Sequence, residues 1–188
     1  MSRIGNSPII IPAGVTVDKI GKTVTVSGSK GSLNLKLEPT ISIEVEGDKV
    51  VVKRKNDLKK NRALHGLSRN LIHNMVLGVT NGWSKSLELI GVGFRAQIAE
   101  GKLVLNVGYS HPVEIIPPEG INFEVLDNIK IKVSGIDKQL VGQISANIKK
   151  VRMPDAYKGK GIRYEGEYIR KKVGKSAKVG VAAVGGAK

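Results

Sequence analysis

Residues 58–79 read LKKNRALHGLSRNLIHNMVLGV, and the period of their apolar side chains decides the fold. Leu64, Leu67, Leu71 and Met75 fall at i, i+3, i+7 and i+11, the spacing of one side of an α-helix. Asp57 stands where an N-cap belongs, and Asn81-Gly82 where a helix stops. Upstream the period is two. Residues 15–20, 23–27, 32–37, 41–46 and 49–53 alternate β-branched with polar residues and are separated by turns such as Lys30-Gly31 and Gly47-Asp48, which predicts an antiparallel meander.

Downstream the same order returns. Strand rhythm resumes after Trp83 at residues 86–90, 94–99, 102–107, 112–116, 121–125 and 129–133, with Glu100-Gly101 as a tight hairpin turn. A second amphipathic helix then runs over about 137–151, with Leu140, Ile144, Ile148 and Val151 on one face. Arg62-x-Leu64-x-Gly66 in the first helix has its counterpart in Lys138-x-Leu140-x-Gly142 of the second, at an offset of 76 residues that also pairs Ile72 with Ile148. Glycine inside a helix costs about 1 kcal/mol relative to alanine, so close approach of helix to sheet is the expected reason for each. The expected fold class is α+β by internal duplication: two similar domains, residues 1–82 and 83–152, each an antiparallel β-sheet packed with one α-helix. Pro154 ends the second helix, and the basic C-terminal arm, residues 153–178, is expected to be extended with at most a short helix near 167–172, while 179–188 (VGVAAVGGAK) is expected to be a disordered tail.

Charge is distributed as unevenly as structure. The chain carries net +15, of which residues 149–178 hold +8 and residues 53–69 hold +6, leaving +1 for everything else. Two confined patches imply two contact surfaces for a polyanion, since solubility alone is served by dispersed charge. Nucleic acid comes first as that partner and an anionic membrane second. No apolar run approaches the roughly 20 residues that span a bilayer, and MSRIGNSPIIIP lacks the regions of a signal peptide, so a soluble, unprocessed protein with no membrane is expected.

Catalytic chemistry finds no footing. Without cysteine there is no disulfide, thiolate zinc site or thiol nucleophile. Gly91-Val92-Gly93-Phe94-Arg95-Ala96 matches G-x-G-x-x-A, with Glu114 at about the distance of a ribose-binding acid. That fingerprint needs a following helix to receive the pyrophosphate, whereas a strand follows here, and a glycine-bent strand is the better reading. Gly174-Lys175-Ser176 lacks the earlier glycine of a phosphate-binding loop, since Ile169 stands there. His65, His73 and His111 pair with no acid at metal or triad spacing. The expectation is no enzyme, no cofactor and no metal.

The arm survives the same scrutiny. In Tyr157-Lys158-Gly159-Lys160-Gly161-Ile162-Arg163-Tyr164, cations neutralise phosphates, glycines admit close backbone approach, and Tyr157, Tyr164 and Tyr168 can stack on bases. Folded RNA suits a wrapping arm better than uniform duplex DNA, for which neither helix resembles a recognition helix. Lys149, Lys150 and Arg152 beside the arm, and Lys59, Arg62 and Arg69 in the first patch, are further RNA-binding candidates, with the first patch also open to protein or solvent.

YKGKGIRYEGEYIRKKVGKSAK, the opening MSRIGNSPI, the segments RALHGLSRNLIHNMVLGV and ELIGVGFRA, and the duplicated layout together resemble the bacterial type of the large-subunit ribosomal protein six family over residues 1–178. The resemblance implies a structural constituent of the large subunit in a cytoplasmic ribosome. By the same resemblance it is expected to bind large-subunit rRNA near the factor-binding stalk base and the sarcin–ricin loop region, beside neighbouring ribosomal proteins and translation factors, and not to be a homo-oligomer. It implies RNA contact by Tyr157, Lys158, Gly159, Lys160, Gly161, Arg163 and Tyr164, then by Arg170, Lys171, Lys172 and Lys175. The chain departs from the family's pattern at Ala156, where members often carry proline, and at Asn6, near which they carry lysine. Two alternatives stand beside this reading: a free RNA-binding or RNA-chaperone protein, and a nucleotide-dependent enzyme using Gly91–Ala96.

Overall fold

The computed structural model describes residues 3–174. Each repeat splits its strands between two small antiparallel sheets. In the first, β1 (Ile9–Ile10), β6 (Lys49–Arg54) and β5 (Ile41–Glu46) form one sheet in the order β1-β6-β5, and β2 (Thr16–Ile20), β3 (Thr23–Gly28) and β4 (Gly31–Lys36) form the other in chain order. The helix α1 (Lys59–Thr80) closes the core on Val24, Val26, Val50 and Val52, the inward-facing residues of β3 and β6.

The second repeat reproduces this plan. β7 (Trp83–Ile90), β12 (Lys130–Gly135) and β11 (Ile121–Leu126) take the places of β1, β6 and β5, while β8 (Arg95–Ala99), β9 (Lys102–Asn106) and β10 (Val113–Ile115) take those of β2, β3 and β4. Its helix α2 (Lys138–Val151) buries Val141, Ser145 and Ile148 against β7 and β12. Duplication is thus visible in topology as well as in sequence.

One difference between the repeats positions the arm. β1 is two residues long and flanked by Pro8 and Pro12, which cannot donate to a ladder, whereas β7 runs for eight. The free edge of β7 accepts a fourth strand, β13 (Gly161–Tyr164), in the register Gly161↔Ile90 to Tyr164↔Leu87. The arm therefore runs back into the second repeat's sheet, and Ile162 is fully buried there. Residues 165–174 are irregular, without the short helix considered for 167–172.

Both helices are rotated from the predicted phase. In α1 the buried face is Asn61, His65, Ser68, Ile72, Met75, Val76 and Val79, while Leu67 is 54% exposed. Two of the polar residues on this inner face, Asn61 and His65, are hydrogen-bonded there, Asn61 Nδ2 donating to Asn56 Oδ1. Arg54 Nη1 donates to His65 Nδ1 at 2.9 Å, so the other ring nitrogen, Nε2–H, donates to the Val52 carbonyl at 2.8 Å. In α2 Val141 replaces the predicted Leu140, which is 40% exposed. Asp57 does not cap α1: its carboxylate accepts from Arg54 Nε at 2.5 Å, and Leu58 occupies the N-cap without a side-chain bond.

The close approach expected at Gly142 occurs elsewhere. A Cβ built on Gly142 meets nothing within 4 Å, whereas one on Gly78 would lie 2.2 Å from the Ile136 carbonyl oxygen. Gly78 lets the end of α1 touch the chain entering α2. Trp83 Nε1 donates to the Asn74 carbonyl at 3.1 Å, and Lys138 Nζ lies 4.3 Å from the Trp83 ring centre and 3.2 Å from Asn74 Oδ1. These contacts fasten the repeats together.

Candidate nucleic-acid interface

The arm's backbone is set by a few short-range constraints. Leaving α2, the chain turns at Pro154, and the Asp155 carboxylate accepts from the Lys158 N–H at 3.0 Å while Gly159 N–H donates to the Asp155 carbonyl at 2.9 Å. Donation from the N–H groups of Lys158, Tyr157 and Ala156 holds the Asp155 carboxyl below its usual range. Asp155 N–H donates to the Lys160 carbonyl at 2.9 Å and closes the loop. Gly161 is required next: its φ is +146°, and a Cβ there would lie 2.6 Å from Pro154 Cα. Ile162 N–H donates to the Arg152 carbonyl at 2.8 Å, and the chain enters β13.

Past β13 the chain folds back. Lys172 N–H donates to the Ala156 carbonyl at 2.8 Å, which brings residues 170–172 beside the 155–160 loop. Cations distant in sequence therefore share one surface.

The basic residues divide into two sets by their partners. Arg163 donates through Nη2 and Nε to Glu88 at 3.1 and 3.3 Å across the β7–β13 ladder. Lys149 grips both oxygens of Glu167 at 2.5 and 2.7 Å, and the Tyr164 N–H donates to the same carboxylate at 3.0 Å. Lys149 foremost, then that N–H, holds Glu167 below its usual range. The Tyr164 ring packs on the second core with Lys85 Nζ 5.0 Å and Lys149 Nζ 4.7 Å from its centre. Arg163, Tyr164 and Lys149 are thus occupied within the fold.

The second set faces out. Lys158, Lys160, Arg170, Lys171 and Lys172 are exposed and make no ion pair among the described residues, and Tyr157 and Tyr168 are exposed beside them. Lys150 and Arg152 extend the surface to the end of α2, where Arg152 lies 5.2 Å from the Tyr109 ring and Tyr109 Oη donates to the Val151 carbonyl at 2.7 Å. Tyr109 and Lys85 carry no charge-run or motif signal; they join this region only through the fold. Gly159 contributes backbone at φ +73°, and Lys175 lies outside the described residues, as do 179–188.

The first patch is less open. Arg69 is spent on the N-terminal segment, donating to the Ser7 and Pro8 carbonyls at 3.1 and 3.2 Å. Lys53 pairs with Glu44, and Arg54 with Asp57 and His65, which leaves Lys55, Lys59, Lys60 and Arg62 exposed around the start of α1. Gly91–Phe94 is the turn from β7 into β8, and Arg95-Ala96 opens that strand, with no helix after the glycines. Among the described residues no group of acids and histidines could hold a metal, and no helix is long and apolar enough to cross a membrane.

A profile of the ribosomal protein L6 family matches the sequence twice, over residues 11–82 and 90–165. The second match runs through β13. Among similar proteins, the large ribosomal subunit protein uL6 of Halalkalibacterium halodurans is 60% identical over 178 residues, covering 95% of this chain and 100% of that protein. The proteins of the same name from Shouchella clausii and Listeria monocytogenes are 56% and 55% identical over the same shares.

Proposed function

The chain belongs to the ribosomal protein L6 family, and from that membership we propose that it holds large-subunit rRNA through the surface anchored by β13. As a member of this family it is a structural constituent of the large ribosomal subunit and not an enzyme. The two repeats, 1–82 and 83–152, act as scaffold and residues 153–178 as the contacting arm. The binding place is near the factor-binding stalk base and the sarcin–ricin loop region of a cytoplasmic, bacterial-type ribosome. There the protein sits as a single copy, beside other large-subunit proteins and within reach of translation factors.

The observation that carries this reading is the sorting of charge. Cations that face the fold are paired with Glu88 or Glu167, while Lys158, Lys160, Arg170, Lys171 and Lys172 face outward and make no ion pair among the described residues, the nearby acid Asp155 being bound to backbone N–H groups. A surface whose cations are not spent on ion pairs, on a fixed backbone, is suited to phosphates, which would release condensed cations on binding. Arg163, Tyr164 and Lys149, with the buried Gly159 and Gly161, act as positioning residues, and Tyr157, Lys158, Lys160 and 170–172, with Lys175, as the contact itself.

Co-sedimentation tests it. The wild-type chain should stay with large subunits at near-stoichiometric level through a high-salt wash, and a variant with alanine at 158, 160, 170, 171 and 172 should be released. Equal retention of that variant would move the interface elsewhere. Release of the wild type into the soluble fraction would favour a free RNA-binding or chaperone protein.

A further inference from the structure

Between β13 and the returning segment lies a hollow of about 480 Å³, large enough for a nucleotide-sized group. Its lining is chemically mixed in an ordered way. Ile90 and Ile169 give it half-buried apolar surface, Tyr168 presents an aromatic ring that is 87% exposed, and Lys158 and Lys171 bring cations without ion pairs. Gly166 lines it at φ +75°, and a Cβ there would meet nothing within 4 Å, so the backbone borders open space. The Glu167 carboxylate also lines it, but its charge is met by Lys149 and the Tyr164 N–H. Arg163 spends Nε and Nη2 on one oxygen of Glu88 and retains the two N–H groups of Nη1.

Resting on the RNA-binding reading above, we infer that this hollow receives one unpaired nucleotide of the RNA, its base stacked on Tyr168 and its phosphate between Lys158 and Lys171. Among the described residues the Tyr168 side chain makes no hydrogen bond, no cation–ring contact and no core contact that would explain an aromatic ring in solvent. Its neighbour in type, Tyr164, shows the contrast, being packed on the core and flanked by two lysines. A ring beside a cationic rim and an apolar floor matches the way proteins take a base that has left its stack, with planar contact to the base and charge on the backbone. Paired RNA cannot enter, because its bases are stacked on one another. The site therefore adds a requirement for a bulged or looped nucleotide to a surface that otherwise reads only backbone.

The test uses large subunits stripped of this protein and reconstituted with the full chain as wild type, Tyr168→Ala or Tyr168→Phe. Base-specific alkylation and 2′-hydroxyl acylation read single nucleotides, while hydroxyl-radical cleavage reads the backbone. One unpaired nucleotide should be protected by wild type and Tyr168→Phe and remain reactive with Tyr168→Ala. Backbone protection should be common to all three, with affinity about tenfold or more weaker for Tyr168→Ala. Tyr168 is exposed, so the variant should fold as the wild type does, and circular dichroism checks it. Base protection unchanged in Tyr168→Ala, or confined to paired nucleotides, would overturn the pocket while leaving the RNA surface in place. Absence of any protection by wild type would overturn both.

Discussion

Replacing Ile162 by alanine should detach the arm without touching any cation. Ile162 is fully buried between β7 and α2, in a strand only four residues long. The substitution removes three carbons, worth about 2.4 kcal/mol of transfer free energy at about 0.8 per methylene, and the residual cavity raises the cost to about 2–5 kcal/mol. The ladder with β7 and the half-buried Tyr164 also hold the strand, but Ile162 is its one fully buried side chain, and the Arg163–Glu88 pair is partly solvated and contributes little by comparison. Amide hydrogen exchange at Gly161–Tyr164 should accelerate strongly, while the first repeat keeps its protection. RNA affinity should also fall, because the unbound arm must then be ordered at the moment of binding. The slope of log affinity against log salt should stay the same, since the same phosphates are neutralised once bound. Lys158→Ala should do the reverse, with normal exchange, modestly weaker binding and a slope shallower by about one. Exchange at β13 as slow in Ile162→Ala as in wild type would refute this account of the arm.

Acid should loosen the same region. Glu167 and Asp155 have folded-state pKa values depressed below their ordinary 4.5 and 3.8. Their contribution is therefore fully present above those values and lost as pH falls through the lower folded ones. Arm amides should open below about pH 4 in wild type, and Glu167→Gln should already be loosened at neutral pH with a weaker acid dependence; an identical pH profile in the two proteins would contradict the Lys149–Glu167 clamp. His65→Ala should cost about 2–3 kcal/mol by urea denaturation, because it leaves the Val52 carbonyl and Arg54 Nη1 without their buried partner. A change below about 0.5 kcal/mol would show the histidine to be incidental.

The duplication was legible because both repeats keep the same alternation of short strands and then a change of period, and periodicity is a local signal. β13 was not. Gly161–Tyr164 offers one fully apolar residue, Ile162, inside a run of glycines and cations, and its partner β7 lies some 70 residues earlier, so nothing local marks it as a strand. The helix faces were mis-phased for a related reason. His65, Ser68 and Ser145 count as polar in any periodic reading, yet each is buried. Ser145 Oγ, for instance, donates to the Val141 carbonyl at 2.6 Å. In the interface, residue types identified a cationic surface but not which cations were free. Arg163 meets Glu88 across 75 positions of sequence, and Lys149 meets Glu167 only because the chain turns back after β13.

The central claim is that outward cations on an anchored arm hold the RNA by phosphate neutralisation, and a salt titration of affinity for large-subunit rRNA tests it most directly. If Lys158, Lys160, Arg170, Lys171, Lys172 and the flanking Lys150 and Arg152 each meet a phosphate, log affinity falls against log salt with a slope on the order of −5. Alanine at 158, 160, 170, 171 and 172 should reduce that slope to about −1 to −2 with β13 exchange unchanged. A slope that stays near the wild-type value in this variant would contradict the claim and transfer the contact to Lys55, Lys59, Lys60 and Arg62.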